Sequence, residues 1–447
     1  MKATTQFLCS QCGYVSSKWL GRCPECGSWN SFTEAKIEDK KTVSKDSSQY
    51  TSTALSDVPY ETEFRFESGI SELDRVLGGG IVRASSVLVG GEPGIGKSTL
   101  LLQVVAGCSS RRKVLYVSGE ESASQVRQRA ERLGLELGSI NIFCDTKLEK
   151  ILSVIKTEKP QIAVIDSLQT LATDELSSVA GSVTQIRNCC MEIVSLCKAI
   201  GTSVFFIGHV TKEGTLAGPK IIEHMVDTVL YFEQASMGVR LVRAAKNRFG
   251  SVDEIGIFTM TSEGLEGVKD PASFFISERK EATLPPGIAY TAITEGTRTF
   301  LVEIQALIVD AKSGYSRVYS DKIDSSRVLR VCAILERHAG IRLADKDIYV
   351  NVAGGIRVNE VSVELALALA LWSAYSETNL HAKMVSFGEL SLAGEVRPVN
   401  YGDRRLKAAS EMGFDKAMVP ASMTFEKNNI LLKRCQKIRD AFTINRN

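Results

Sequence analysis

The run GEPGIGKS, Gly91 to Ser98, is the tightest constraint on how this chain can fold. It matches G-x-x-x-x-G-K-[ST] and lies between an apolar run, SVLVG, and a helix-like stretch, STLLLQVVAGC. A glycine-rich turn in that setting aims backbone N–H groups at a polyphosphate, and the positive end of the following helix adds to the attraction. Gly91, Glu92, Pro93, Gly94, Ile95, Gly96, Lys97, Ser98 and Thr99 are the expected ATP cradle. Lys97 is expected on the β- and γ-phosphates and Ser98 on Mg2+.

The surrounding pattern agrees with a sheet that presents such a turn at its edge. After the cradle come VLYVSG, a helix around SASQVRQRAERLG, IAVIDS, a helix around SVTQIRNCCMEIVSLCKAIG, and SVFFIGHV. Strands alternating with helices of this length predict crossover units and a mostly parallel sheet. The later runs MVDTVLYFE, VRLVRAAK and EIGIFTMT have little room between them, so that part is expected to be antiparallel or meandering. Asp166, closing IAVID, is the expected magnesium ligand, directly or through water. Glu120 follows VLYVSG and is the candidate to orient an attacking water, with Glu121 its competitor. His209 ends FFIGH, where it can sense the γ-phosphate or serve only as a structural hydrogen-bonding partner.

The N-terminal stretch CSQCGYVSSKWLGRCPECGSW holds two Cys-x-x-Cys knuckles, Cys9/Cys12 and Cys23/Cys26. Four thiolates on two tight turns, relaxed by Gly13 and Gly27, suit Zn2+, although iron fits the same donors. A module of ~30 residues buries too little surface to fold alone, so the metal would supply its folding energy. Trp19 and Trp29 are expected to pack over the site. Residues 1–32 form this module, 33–63 read as a Ser-, Thr- and charge-rich linker, 64–270 as the nucleotide-binding domain and 271–447 as an α+β domain with its own core.

Charged residues make up 24% and apolar residues 44%, the balance of a globular protein. Net charge is only +2, so any nucleic-acid contact must come from local clusters of Lys and Arg. The longest apolar run, LALALALWSAY, is about half the ~20 residues a membrane span needs. No export signal is visible at the N-terminus, and a reducing cytoplasm is the expected location. The cysteines at 108, 144, 189, 190, 197, 332 and 435 read as ordinary core thiols.

Taken in order, ESGISELDRVLGGG, GGEPGIGKSTLLLQ, SGEES, VIDSLQT, GHVTKEG, AGP, EHMVDTVLYFE and KNRFG closely resemble the bacterial RadA (Sms) recombination ATPases, over nearly the whole chain. The resemblance implies a RecA-like P-loop core. It makes Glu120 the water-activating carboxylate and Lys246 and Arg248 of AKNRFG cations that complete a neighbouring subunit's ATP site. Direct contact of these two cations with DNA phosphate, or a plain surface pair, are the competing readings. It further implies that TKEGTLAGPKIIEHM is a DNA-binding loop contacting phosphate through Lys212 and Lys220, that the protein forms a hexameric ring, and that it works with the RecA recombinase on single-stranded and branched DNA.

The C-terminal runs VNEVSVELALALAL and GELSLAGEVRPVNYGDRRLKAA resemble the proteolytic domain of Lon, which uses a Ser nucleophile activated by a Lys. Alignment puts Ser362 near the nucleophile position but Asp403 where the Lys belongs, so the domain is expected to be inactive as a peptidase. Basic faces are expected around SGYSRVYSDKIDSSRVLR and KNNILLKRCQKIRD. The leading expectation is a DNA-dependent ATPase that drives branch migration in recombination and repair. A Lon-like ATP-dependent peptidase and a KaiC-like signalling ATPase without DNA are the alternatives.

Overall fold

The computed structural model describes residues 5–9, 14–24, 27–36, 54–57, 64–176, 178–209, 221–235, 238–268, 276, 281–311, 316–320 and 322–444. Two compact units are present: residues 1–233, 241–252 and 260–267 form one, and 234–240, 253–259 and 268–447 the other.

The N-terminal module is a three-stranded antiparallel sheet of β1 (Thr5–Cys9), β2 (Val15–Ser16) and β3 (Phe32–Lys36) in the order β2-β1-β3. β3 takes residues 33–36, which the sequence placed in the linker. Pairing of Thr5 with Lys36 through Cys9 with Phe32 explains why, because a single strand ladder needs no apolar period to hold.

After β4 (Arg65–Phe66), α1 (Ser71–Val76) and β5 (Ile81–Val82), the chain enters the nine-stranded sheet. Its elements are β6 (Ser86–Gly91), α2 (Lys97–Ser109), β7 (Val114–Ser118), α3 (Ala123–Arg132), β8 (Ile140–Cys144), α4 (Leu148–Glu158), β9 (Ile162–Asp166), α5 (Val183–Ile200), β10 (Ser203–His209), α6 (Ile221–Met225), β11 (Thr228–Gln234), β12 (Val239–Asn247), β13 (Ile255–Thr261) and β14 (Gly264–Gly267). The strand order is β14-β13-β12-β11-β6-β10-β9-β7-β8. Every residue of β6, β7 and β9 is buried, as expected for strands covered on both faces. β11 runs parallel to β6 and so extends the parallel half; the meander begins only at β12. The pair β8 and α4 was not anticipated. β8 is a half-exposed edge strand without an apolar run to announce it, while α4 buries Leu148, Ile151 and Ile155 at helical spacing.

The second sheet has the order β17-β18-β16-β15-β19-β22-β23. Its elements are β15 (Ile288–Glu295), β16 (Arg298–Asp310), β17 (Val318–Ser320), α7 (Ser325–Ala339), β18 (Lys346–Val352), α8 (Glu364–Ser376), β19 (Met384–Ser386), the hairpin β20 (Glu389–Leu390) and β21 (Val396–Arg397), α9 (Gly402–Glu411), β22 (Lys416–Pro420), β23 (Leu431–Cys435) and α10 (Ile438–Ile444). Residues 364 to 373 of α8 are all buried, which accounts for the LALALALW run as a core helix. Among the described residues no helix is long and apolar enough to cross a membrane. The expected basic face around 317–330 is largely spent within the chain. Arg327 and Arg330 turn to the buried Glu364, Arg327 also donates to the carbonyls of Asn359 and Glu360, and Asp324 caps α7.

Candidate nucleotide site and metal module

The cradle joins β6 to α2. Gly94 and Gly96 hold positive φ of 77° and 117°, a region closed to most side chains, and this lets the turn double back over the helix start. No side chain caps the first turn of α2, so its N–H groups are left for an incoming anion. Lys97 is 4% exposed and rests on the loop itself, donating to the carbonyls of Gly91 (2.7 Å) and Glu92 (2.9 Å). Burial lowers its pKa to about 8, against the opposing pull of Asp166, Glu120 and Glu92. Ser98 and Thr99 follow on the first turn of α2.

Register in the parallel sheet brings the other candidates to the same edge. Gly91 pairs with His209 on β10 and with Phe232 on β11, and Asp166 on β9 pairs with Ser118 on β7. Asp166 accepts a 2.6 Å hydrogen bond from the Tyr116 hydroxyl. Burial and the adjacent Asp166 carboxylate hold the Tyr116 pKa well above its ordinary value, so that hydroxyl remains a donor.

Glu120 accepts from the Ser167 hydroxyl and lies 3.2 Å from His209 Nε2. Partial burial opposes its ionisation, but Ser167, His209 and Lys97 together outweigh that and hold the carboxyl below its usual range. Glu121 instead pairs with Arg129 on α3. Tyr116 and Ser167 were missed by sequence reasoning. Ser167 directly follows Asp166 and was findable by position, whereas Tyr116 looked like any strand residue.

Lys246 and Arg248 lie at the opposite end of the sheet and are engaged by their own chain. Lys246 donates to three carbonyls at the end of α6, and Arg248 pairs with Asp227. Lys212 and Lys220 lie outside the described residues.

In the N-terminal module Cys9 and Cys23 are 0% and 1% exposed and pack with Phe32, Phe7 and Leu20. The two knuckles share one backbone turn: Cys9 N–H donates to Tyr14 O and Cys23 N–H to Ser28 O, each at 2.9 Å. Cys12 and Cys26 lie outside the described residues. Two buried thiols on matching turns are the donor set a soft, tetrahedral metal requires, so the residues present fit zinc. The expectation for the tryptophans is corrected. Trp19 is 54% and Trp29 72% exposed, and Phe32 fills the place they were assigned. The inward rings come from the strands, Phe7 on β1 and Phe32 on β3, and not from the turns that carry the tryptophans.

In the second unit Ser362 is buried and accepts a 3.0 Å hydrogen bond from Arg405, which also binds both oxygens of Glu360 and the carbonyl of Asn400. Asp403 is turned to the backbone N–H of Glu426. The cation beside Ser362 is therefore a guanidinium, a donor with no acceptor site, which cannot take a proton from a nucleophile.

A phosphate cradle between a buried parallel strand and its helix, ringed by carboxylates on neighbouring strand ends, defines a P-loop ATPase of the RecA type. It is joined to a metal-binding ribbon and to a ChlI-type, Lon-like C-terminal region. Residues 66–142 match the KaiC ATPase family, 7–34 the rubredoxin metal binding domain and 320–423 the ChlI subunit of Mg-chelatase. The chain is 49% identical to the DNA repair protein RadA of Treponema pallidum, with 94% of this chain and 92% of that protein covered. It is 44% identical to the DNA repair protein RadA of Pseudomonas aeruginosa (94% and 93%) and 42% identical to that of Aquifex aeolicus (99% and 99%). The chain belongs to the DNA repair protein RadA family.

Proposed function

We propose that this protein is a DNA-dependent ATPase that binds single-stranded DNA and drives branch migration of recombination intermediates during repair. The observation that carries the reading is the Glu120–His209 contact beside Lys97. It ties the carboxylate best placed to orient a water to the residue that opens the 210–220 segment. Bound Mg2+–ATP would supply the electrophilic γ-phosphorus. Lys97 and the α2 amides neutralise the phosphate charge, Ser98 and Asp166 hold the metal, and Glu120 holds the water's proton side.

Loss or gain of the γ-phosphate changes what His209 and Glu120 can bond to, and this gives DNA contacts through Lys212 and Lys220 a route to the chemistry. The four cysteines hold Zn2+. The working form is a homo-oligomeric ring, and RecA is the expected protein partner.

The test compares ATP turnover with and without single-stranded DNA. Wild type should accelerate on DNA, Lys97→Ala should be inactive, and Glu120→Gln should lose about 10²- to 10⁴-fold in kcat. Turnover indifferent to DNA would favour a signalling ATPase. Protein cleavage abolished by Ser362→Ala would restore the peptidase reading.

A further inference from the structure

β6, which leads into the cradle, divides the nine-stranded sheet. On one side β10 and β9 carry His209 and Asp166, and β7 leads into Glu120. In the proposed ATPase the γ-phosphate and its metal lie on that side. On the other side lie β11 to β14, ending in the β13–β14 hairpin.

The hairpin is tied back onto the helix of the cradle, and Met260 to Gly267 belong to the same compact unit. The Gln103 side-chain amide on α2 donates to the Leu265 carbonyl at 3.2 Å and accepts from the Leu265 N–H at 3.0 Å. Gly264, at a φ of 114°, permits this approach, because a β-carbon there would lie 2.8 Å from Gln103 Nε2. Thr261 holds the turn. Its hydroxyl accepts from the Glu263 N–H at 3.2 Å and reaches the Glu266 carboxylate at 3.0 Å.

So placed, the hairpin lays apolar side chains against the phosphate loop. A β-carbon on Gly96 would come within 2.9 Å of Met260 Cε and 3.2 Å of Leu265 Cδ1. Leu265 is 2% exposed and belongs to the core, whereas Met260 is 39% exposed. An exposed methionine beside the last glycine of a phosphate loop offers a soft, polarisable surface suited to a flat heteroaromatic ring. A nucleotide whose γ-phosphate faces Glu120 and Asp166 directs its α-phosphate, ribose and base away from them. The flank it then meets is the one Met260 lines.

We propose that Met260 is the side chain on which the base of the bound nucleotide packs, and that Gln103 is a positioning residue holding the β13–β14 hairpin beside the cradle. This subsite deepens the ATPase reading and rests on it.

Equilibrium binding of Mg2+–ATP and of Mg2+–tripolyphosphate to the full chain tests it, since tripolyphosphate offers similar anions without ribose or base. Met260→Ala should weaken ATP about five- to tenfold and leave tripolyphosphate within about twofold of wild type. Gln103→Met keeps the length but removes both hydrogen bonds, and should show the same selective loss. Adding Met260→Ala to it should then cost little more, because the two residues act through one contact. Equal weakening of both ligands in Met260→Ala means that the hairpin only shapes the phosphate loop, and overturns the proposal. Unchanged ATP affinity in that variant overturns it too, and leaves the ATPase reading standing. Fully additive losses in the double variant overturn the role given to Gln103. Wild type that binds neither ligand would sink the ATPase reading itself, and this subsite with it.

Discussion

Lys97 shows how burial sets a functional charge. Its pKa near 8 means that the ammonium, which phosphate requires, is partly lost at mildly alkaline pH. Bound polyphosphate would favour the charged form, so nucleotide binding should take up a proton above pH ~8 and weaken by up to about tenfold per further pH unit. Calorimetric titration across about pH 7 to 9.5, in buffers of differing ionisation heat, checks both the slope and the proton. A flat affinity with no buffer dependence would mean that Lys97 stays fully charged across this range and that burial does not lower its pKa. The sign for stability runs the other way. The folded pKa lies below the unfolded one, so the unfolded state binds more protons between them and folding gains as pH rises through that window. The residue types at the cradle were legible in the sequence. Local pattern left Glu121 as a competitor to Glu120, and only the family resemblance preferred Glu120; in the structure Arg129 draws Glu121 toward α3.

At the scale of elements, α9 is pinned to the core of the second unit by Arg405, 2% exposed, which holds Glu360, Ser362 and two backbone carbonyls, those of Asn400 and Ala292. Arg405→Leu leaves the Glu360 carboxylate and both carbonyls without that donor. It should destabilise this unit by about 3 kcal/mol, read as a lower denaturant midpoint at constant slope. A shift within error would mean water replaces the guanidinium at little cost. The strands and helices themselves were largely visible as apolar runs and helical spacing, α8 most plainly. What failed was β8, whose exposure removes the pattern, and β3, whose residues read as linker because the strand they pair with, β1, lies more than twenty positions away. The pairing of Ser362 with Arg405 was equally hidden, because alignment by position had pointed to Asp403.

For the whole molecule the N-terminal module gives the clearest outcome. Freshly purified protein should carry about one zinc per chain, and the double variant Cys9→Ser/Cys23→Ser should lose it while still binding nucleotide, since the cradle is built on a separate sheet. Elemental analysis decides; metal content unaffected by the double variant would place the ion elsewhere, and iron in its stead would change the assigned metal. The sequence by itself determined that a phosphate cradle forms between a strand and a helix, that four cysteines sit at metal-binding spacing, and that buried strands follow one another in parallel order. Each is set by residues close together in the chain, where turn geometry and side-chain period act directly. Only the tertiary structure decided which carboxylate meets His209, which rings lie against the thiols, and which partners the cations of KNRFG find within their own chain. Those outcomes depend on strand register and on competition between partners tens to hundreds of residues apart, which no local pattern records.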